Sequence, residues 1–176
     1  MKFHPTPIED VFIVDVEPIE DSRGFFARAW CSREFQKKGL KNTIAQCNVS
    51  FNYKKGSVRG MHYQLPPYEE VKMVRCISGA IFDVVIDLRK DSSTYKKWFG
   101  AELSATNYKM LYVPEGFAHG YQTLEKDSVV FYQVTEYYQP GAERGVRWDD
   151  PAFNIEWPLT LSEISDKDKS YPDFKI

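Results

Sequence analysis

A chain of 176 residues with 23 Lys and Arg against 25 Asp and Glu carries a net charge of −2, which gives no electrostatic footing for nucleic acid or an anionic membrane as a partner. Hydrophobic residues make up 43% and aromatic residues 15%, an ordered composition rich in strand formers, and no apolar run reaches the roughly 20 residues that cross a bilayer. Cys31, Cys47 and Cys76 form no close pair, which argues against a secreted disulfide framework or a zinc knuckle. With no signal-like apolar stretch after Met1, the expectation is one cytoplasmic domain over residues 1–176.

Taken in chain order, Val11-Phe12-Ile13-Val14, closed by Asp15, predicts a first short strand. Ser32 can cap a short helix through Glu34, Phe35 and Lys38, with Gly39 ending it. From Thr43 to Phe51 the chain alternates, placing Ile44, Gln46, Asn48 and Ser50 on one face. Ala80 to Leu88 alternates again: Ala80, Phe82, Val84, Ile86 and Leu88 share one face, and Asp83 and Asp87 lie on the other. Met110 to Val113, Phe117 to Leu124 and Val129 to Thr135 read as further strands, and Leu161 to Lys169 as a second short helix. Many short strands with little helix between them predict an all-β jelly roll, two sheets closing around a pocket as a β-barrel with a few short peripheral helices. The aromatic content suits a lumen that receives a ring-shaped ligand.

Three histidines are candidates for chemistry. His4 sits among prolines and reads as solvated. His62, in Arg59-Gly60-Met61-His62-Tyr63-Gln64, and His119, in Gly116-Phe117-Ala118-His119-Gly120, each have glycine close by, and alternation places Arg59 off the face of His62. Barrels of this class often hold a metal with three histidines and a carboxylate, usually starting from a His-x-His pair. Here that place reads His62-Tyr63-Gln64, so a metal site would have to use His62, His119 and Glu69 or Glu70. Residue type alone leaves Tyr132 readable as ordinary core, Lys72 as a solvated strand residue and Asp168 as a charge in a polar tail.

Six strings in register resemble the dTDP-4-dehydrorhamnose 3,5-epimerase family. They are Asp21-Ser22-Arg23-Gly24-Phe25-Phe26, Arg59 to Gln64, Asp83 to Arg89, Pro114 to Gly120, Arg147-Trp148-Asp149-Asp150-Pro151 and Ser165-Asp166-Lys167-Asp168. The match runs from about residue 8 to residue 174. The resemblance implies a cupin-type jelly roll acting as a homodimer on a nucleotide-sugar substrate, with no metal and no cofactor. In a 4-keto sugar the hydrogens on C3 and C5 are acidified by the neighbouring carbonyl, so inversion needs a base on one face of the ring and an acid on the other. By resemblance His62 is the base, Asp168 orients its imidazole, Tyr132 is the acid and Lys72 supplies positive charge near O4. Arg23 and Arg59 correspond to phosphate partners. Gln46, Asn48, His119, Glu143 and Lys167 correspond to other substrate contacts. The family usually follows its Arg-Gly-Phe-Phe string with x-Glu, whereas this chain continues Ala27-Arg28. A carboxylate accepts from thymine N3–H and an arginine cannot, so Arg28 raises the expectation of a base other than thymine. A metal-dependent cupin enzyme and a non-catalytic sugar-nucleotide binding barrel are the competing functions.

Overall fold

The computed structural model describes residues 1–175. In chain order its elements are β1 (Lys2–Pro5), β2 (Phe12–Asp15), β3 (Ile19–Asp21), β4 (Gly24–Phe26), α1 (Ser32–Lys37), β5 (Gln46–Asn52), β6 (Val58–Gln64), β7 (Lys72–Ser78), β8 (Ala80–Asp87), β9 (Trp98–Ser104), β10 (Met110–Val113), β11 (Phe117–Thr123), β12 (Ser128–Val134), β13 (Glu143–Gly145) and α2 (Asp166–Lys169). One sheet runs β1-β2-β10-β7-β12-β5 and faces a second, β13-β6-β11-β8-β9, while β3 and β4 form a separate hairpin. The expected all-β jelly roll with short peripheral helices is what forms. It is an open two-sheet sandwich rather than a closed barrel, because among the described residues no ladder joins the two sheets and each keeps its own edge strands.

The sheets hold together through side chains of both inner faces. Val74, Leu111 and Val130 from the first sheet pack with Ile81, Val85, Leu103 and Phe117 from the second. Burying each such side chain contributes about 1.5–3 kcal/mol. The alternation in β8 is real, but both of its faces are covered. Val84 and Ile86 pack outward against Met61, Ala118, Val146 and Phe153. The other face, with Ile81 and Val85, turns into the sandwich and takes Asp83 and Asp87 with it, both fully buried. Asp87 is tied there by Arg89 Nη2 at 2.9 Å, Ser92 Oγ at 2.6 Å and Thr94 Oγ1 at 2.7 Å. Burial alone would raise its carboxyl; Arg89 and the two hydroxyls outweigh that and hold it below the usual range.

Two helix expectations need adjustment. Cys31, extended at φ −153°, occupies the N-cap of α1 without a side-chain bond, and Ser32 is already helical. Gly39 does end that helix, in the left-handed conformation at φ +72° with its N–H on Gln36 O at 3.0 Å. The second helix spans only Asp166–Lys169, because the residues before it pair with the start of β6: Ser57 bridges Glu163, and Val58 N donates to Glu163 O at 2.8 Å. The true cap is Ser165, whose hydroxyl accepts from Asp168 N at 3.1 Å.

Candidate active site

A cavity of about 560 Å³ opens between the two sheets. The five-stranded sheet presents Arg59 and His62 from β6 and His119 from β11, and the six-stranded sheet presents Lys72 from β7 and Tyr132 from β12. The segment before and within α2 adds Lys167 and Asp168. Simple alternation separates Arg59 from His62, but the ladder slips here. His119 pairs with His62 and Tyr121 with Arg59, so the one residue between them on β11, Gly120, opposes two on β6, Gly60 and Met61, and both Arg59 and His62 reach the cavity. The slip is accommodated by two glycines in contact: a Cβ on Gly60, at φ +126°, would lie 2.6 Å from Gly120 Cα.

His62 Nε2 meets Asp168 Oδ1 at 2.7 Å, and the other carboxylate oxygen accepts from the Gly60 amide at 3.1 Å. With Nε2 tied to the carboxylate, Nδ1 is the ring nitrogen left to take a proton. Burial would raise the Asp168 carboxyl; His62, the Gly60 amide and the Ser165 hydroxyl outweigh it and keep the group below the ordinary carboxylate range. The neighbouring His119 is held in the same fashion, Nε2 to Asp83 Oδ1 at 2.8 Å. Burial pushes the Asp83 carboxyl up, with His119 pulling it back, and its Oδ2 has no partner. On the opposite wall, burial and then Glu70 raise the Tyr132 phenol, which keeps its proton through the neutral range. The Lys72 ammonium, almost wholly buried, is bonded to Glu70.

The sequence profile described as dTDP-4-dehydrorhamnose 3,5-epimerase matches residues 5–175. The chain belongs to the dTDP-4-dehydrorhamnose 3,5-epimerase family. A dTDP-4-dehydrorhamnose 3,5-epimerase from Sinorhizobium fredii is 43% identical over 173 residues, covering 98% of this chain and 89% of the relative. The crystal structure of the Bacillus anthracis dTDP-4-dehydrorhamnose 3,5-epimerase with TDP and PPi bound superposes with a TM-score of 0.94 at 39% identity, covering 98% and 99% of the two chains. ChmJ, a 3'-monoepimerase from Streptomyces bikiniensis in complex with dTDP-quinovose, is more distant, with a TM-score of 0.89 and 28% identity over 97% of this chain and 86% of its own.

Seven of the residues singled out in the sequence therefore line one cavity in this epimerase-family chain: Arg59, His62, Lys72, His119, Tyr132, Lys167 and Asp168. Five do not. Arg23 lies at the tip of the β3–β4 hairpin, 87% exposed and bonded to Asp21. Arg28 donates to Glu34 Oε1 at 2.9 Å on α1. Gln46 accepts from the Tyr138 amide at 3.0 Å, and Asn48 sits on β5 opposite Tyr132. Glu143 holds the Lys167 ammonium and accepts from Tyr138 OH at 3.2 Å. The metal arrangement is not assembled either. Glu69 lines a separate surface depression, Glu70 is bonded to Lys72, and among the described residues no three His, Cys, Asp or Glu side chains group as ligands.

Sequence reasoning passed over Asn52, which accepts from Arg59 Nε at 2.8 Å and from Tyr121 OH at 3.3 Å. It also passed over the pairing of Asp83 with His119 and of Glu70 with Lys72. The signal for Asn52 was the inward face of β5 itself, two residues beyond Ser50.

Proposed function

We propose that this protein inverts C3 and C5 of a dTDP-linked 4-keto-6-deoxyhexose by taking a proton from one face of the ring and returning one to the other. The observation that carries the reading is that His62 and Tyr132 line one cavity from opposite sheets. His62 Nδ1 takes the proton beside the ketone, and Asp168 stabilises the imidazolium that forms. Charge then collects on O4 as an enolate. Lys72 meets it from one wall and His119, backed by Asp83, from the other. Tyr132, kept protonated by burial, donates to the opposite face.

Thymidine diphosphate is the favoured carrier for two reasons. The Sinorhizobium and Bacillus relatives are dTDP-sugar epimerases, and the guanidinium of Arg28 is already engaged by Glu34, which puts a carboxylate acceptor beside it. Arg59, fixed by Asn52, is the guanidinium that the chain's own cavity offers a diphosphate.

A homodimer belongs to the same proposal. The edge strand β5 exposes Val49 (66%) and Phe51 (45%), and the β3–β4 hairpin, with Arg23 at its tip, exposes Ile19 and Phe26 at its other end. A second copy laid on this surface would cover the apolar groups and bring Arg23 toward a cavity it cannot reach in its own chain.

The test is kinetic, with calorimetry as its control. His62→Ala and Tyr132→Phe should each lower kcat about 10²- to 10⁴-fold while dTDP still binds, and wild-type protein should bind dTDP more tightly than CDP or GDP. Full turnover by His62→Ala would remove His62 as the base, dTDP binding without turnover by the wild type would leave a binding protein, and tightest binding of CDP or GDP would move the substrate to another base.

A further inference from the structure

Tyr171 stands against the His62 ring without lining the cavity. It lies three residues beyond Asp168, so the end of α2 brings both to the same imidazole, with Ser170 between them still helical at φ −86° and ψ −4°. The two rings meet edge to face, with centroids 6.1 Å apart at 72°. A glycine makes the seat. Gly145 pairs with His62 across β13 and β6, and a Cβ there would lie 2.2 Å from the Tyr171 ring. The Tyr171 hydroxyl is buried, faces Lys167 without closing a well-formed hydrogen bond and makes none to His62, so what the residue does for His62 it does with its ring.

His62 needs such a second support. Its side chain is 33% exposed, and its polar anchor is one bond, Nε2 to Asp168 at 2.7 Å. A carboxylate oxygen accepts over a broad range of directions, so one bond leaves the ring plane free to swing about it. We propose that Tyr171 is a positioning residue whose ring blocks that swing, holding Nδ1 toward the cavity in the orientation proton abstraction requires. The inference rests on the reading of His62 as the base. A misplacement of the abstracting atom by a fraction of an ångström is costly in rate although nothing in the substrate contact changes.

The experiment compares Tyr171→Phe and Tyr171→Leu in the full chain, using side-chain nitrogen NMR of His62 without substrate, then kcat, KM and thermal melting. Tyr171→Phe should match wild type within about twofold. Tyr171→Leu should lose about ten- to a hundredfold in kcat at unchanged KM, and because the freed ring also loosens its bond to Asp168, the His62 nitrogen shifts should move from one tautomer toward an averaged value. Loss confined to melting temperature, with nitrogen shifts and kcat per folded molecule as in wild type, overturns the proposal. So does a Phe variant as impaired as the Leu variant, since the hydroxyl would then be the active part. The nitrogen shifts need no turnover: if they move in the Leu variant while wild type fails to exchange protons at the sugar, the grip stands and the assignment of His62 as base falls.

Discussion

Asp168 divides its two oxygens between the imidazole it orients and the amide of Gly60, 2.7 Å and 3.1 Å away. Removing its charge while keeping its shape, in Asp168→Asn, should therefore leave the fold and reverse the tautomer that His62 is offered. The expected loss is about 10²- to 10⁴-fold in kcat with little change in KM, measured by steady-state kinetics. Stability should respond as well. Asp168 and Asp87 both ionise at lower pH in the folded chain than in the unfolded one, whose carboxyls titrate near about 4. Their contribution is complete above that pH, and it drains away as pH falls through the folded values because the unfolded chain binds more protons there. Urea denaturation between about pH 6 and pH 3 should show stability falling below about pH 4, with a shallower fall in Asp168→Asn; equal slopes would remove the linkage. At this scale the sequence showed residue types and matched strings but not partners. Asp83 and His119 are 36 residues apart, and nothing local to either says that they meet. Glu70 was readable as a metal ligand, and Asp168 by residue type alone as a charge in a polar tail, until the neighbouring strands were in place.

The β6–β11 pair shows how an element sets the site. Strict alternation is right for most of these strands, and it correctly put Gln46, Asn48 and Ser50 together and Asp83 with Asp87. It fails at Arg59 and His62, because a slipped register is a property of two strands and the pattern of one strand cannot display it. The glycines at 60 and 120 were visible as punctuation; their mutual contact was not. Gly120→Ala would set a Cβ 2.6 Å from Arg59 O and 3.0 Å from Gly60 Cα, both backbone atoms that have little room to yield. The expected result is about 3 kcal/mol or more of destabilisation by urea denaturation, with displacement of both Arg59 and His62. An alanine variant as stable and active as wild type would show that the close approach is dispensable. The short segments β1, β3, β4 and β13 were missed for a simpler reason. Unlike the equally short β2 and β10, they carry no continuous apolar run, and their strand character comes from the neighbours they pair with; the longer β9 was missed as well.

Across the whole molecule, the jelly roll was legible from the spacing of short strands, but whether the sheets close was not, since closure depends on edge pairing. Five residues named from the sequence lie outside the cavity, and the placement of Arg23 on the exposed β3–β4 hairpin is the ground for proposing a site completed by a second chain. Sedimentation should give a dimer. Mixing Arg23→Ala with His62→Ala protein, each impaired alone, should restore about a quarter of wild-type activity as subunits exchange, because one site in each hybrid is then whole. A monomer, or no recovery, would place Arg23 outside the chemistry. The proposed chemistry rests on a base and an acid working from opposite sheets on carbons flanking a ketone. Proton NMR of a dTDP-4-keto-6-deoxyhexose incubated with the enzyme in D2O addresses that most directly. Solvent deuterium should appear at both C3 and C5 with inversion, and both should stay protonated with His62→Ala; product whose inverted centres keep their original hydrogens would contradict the account.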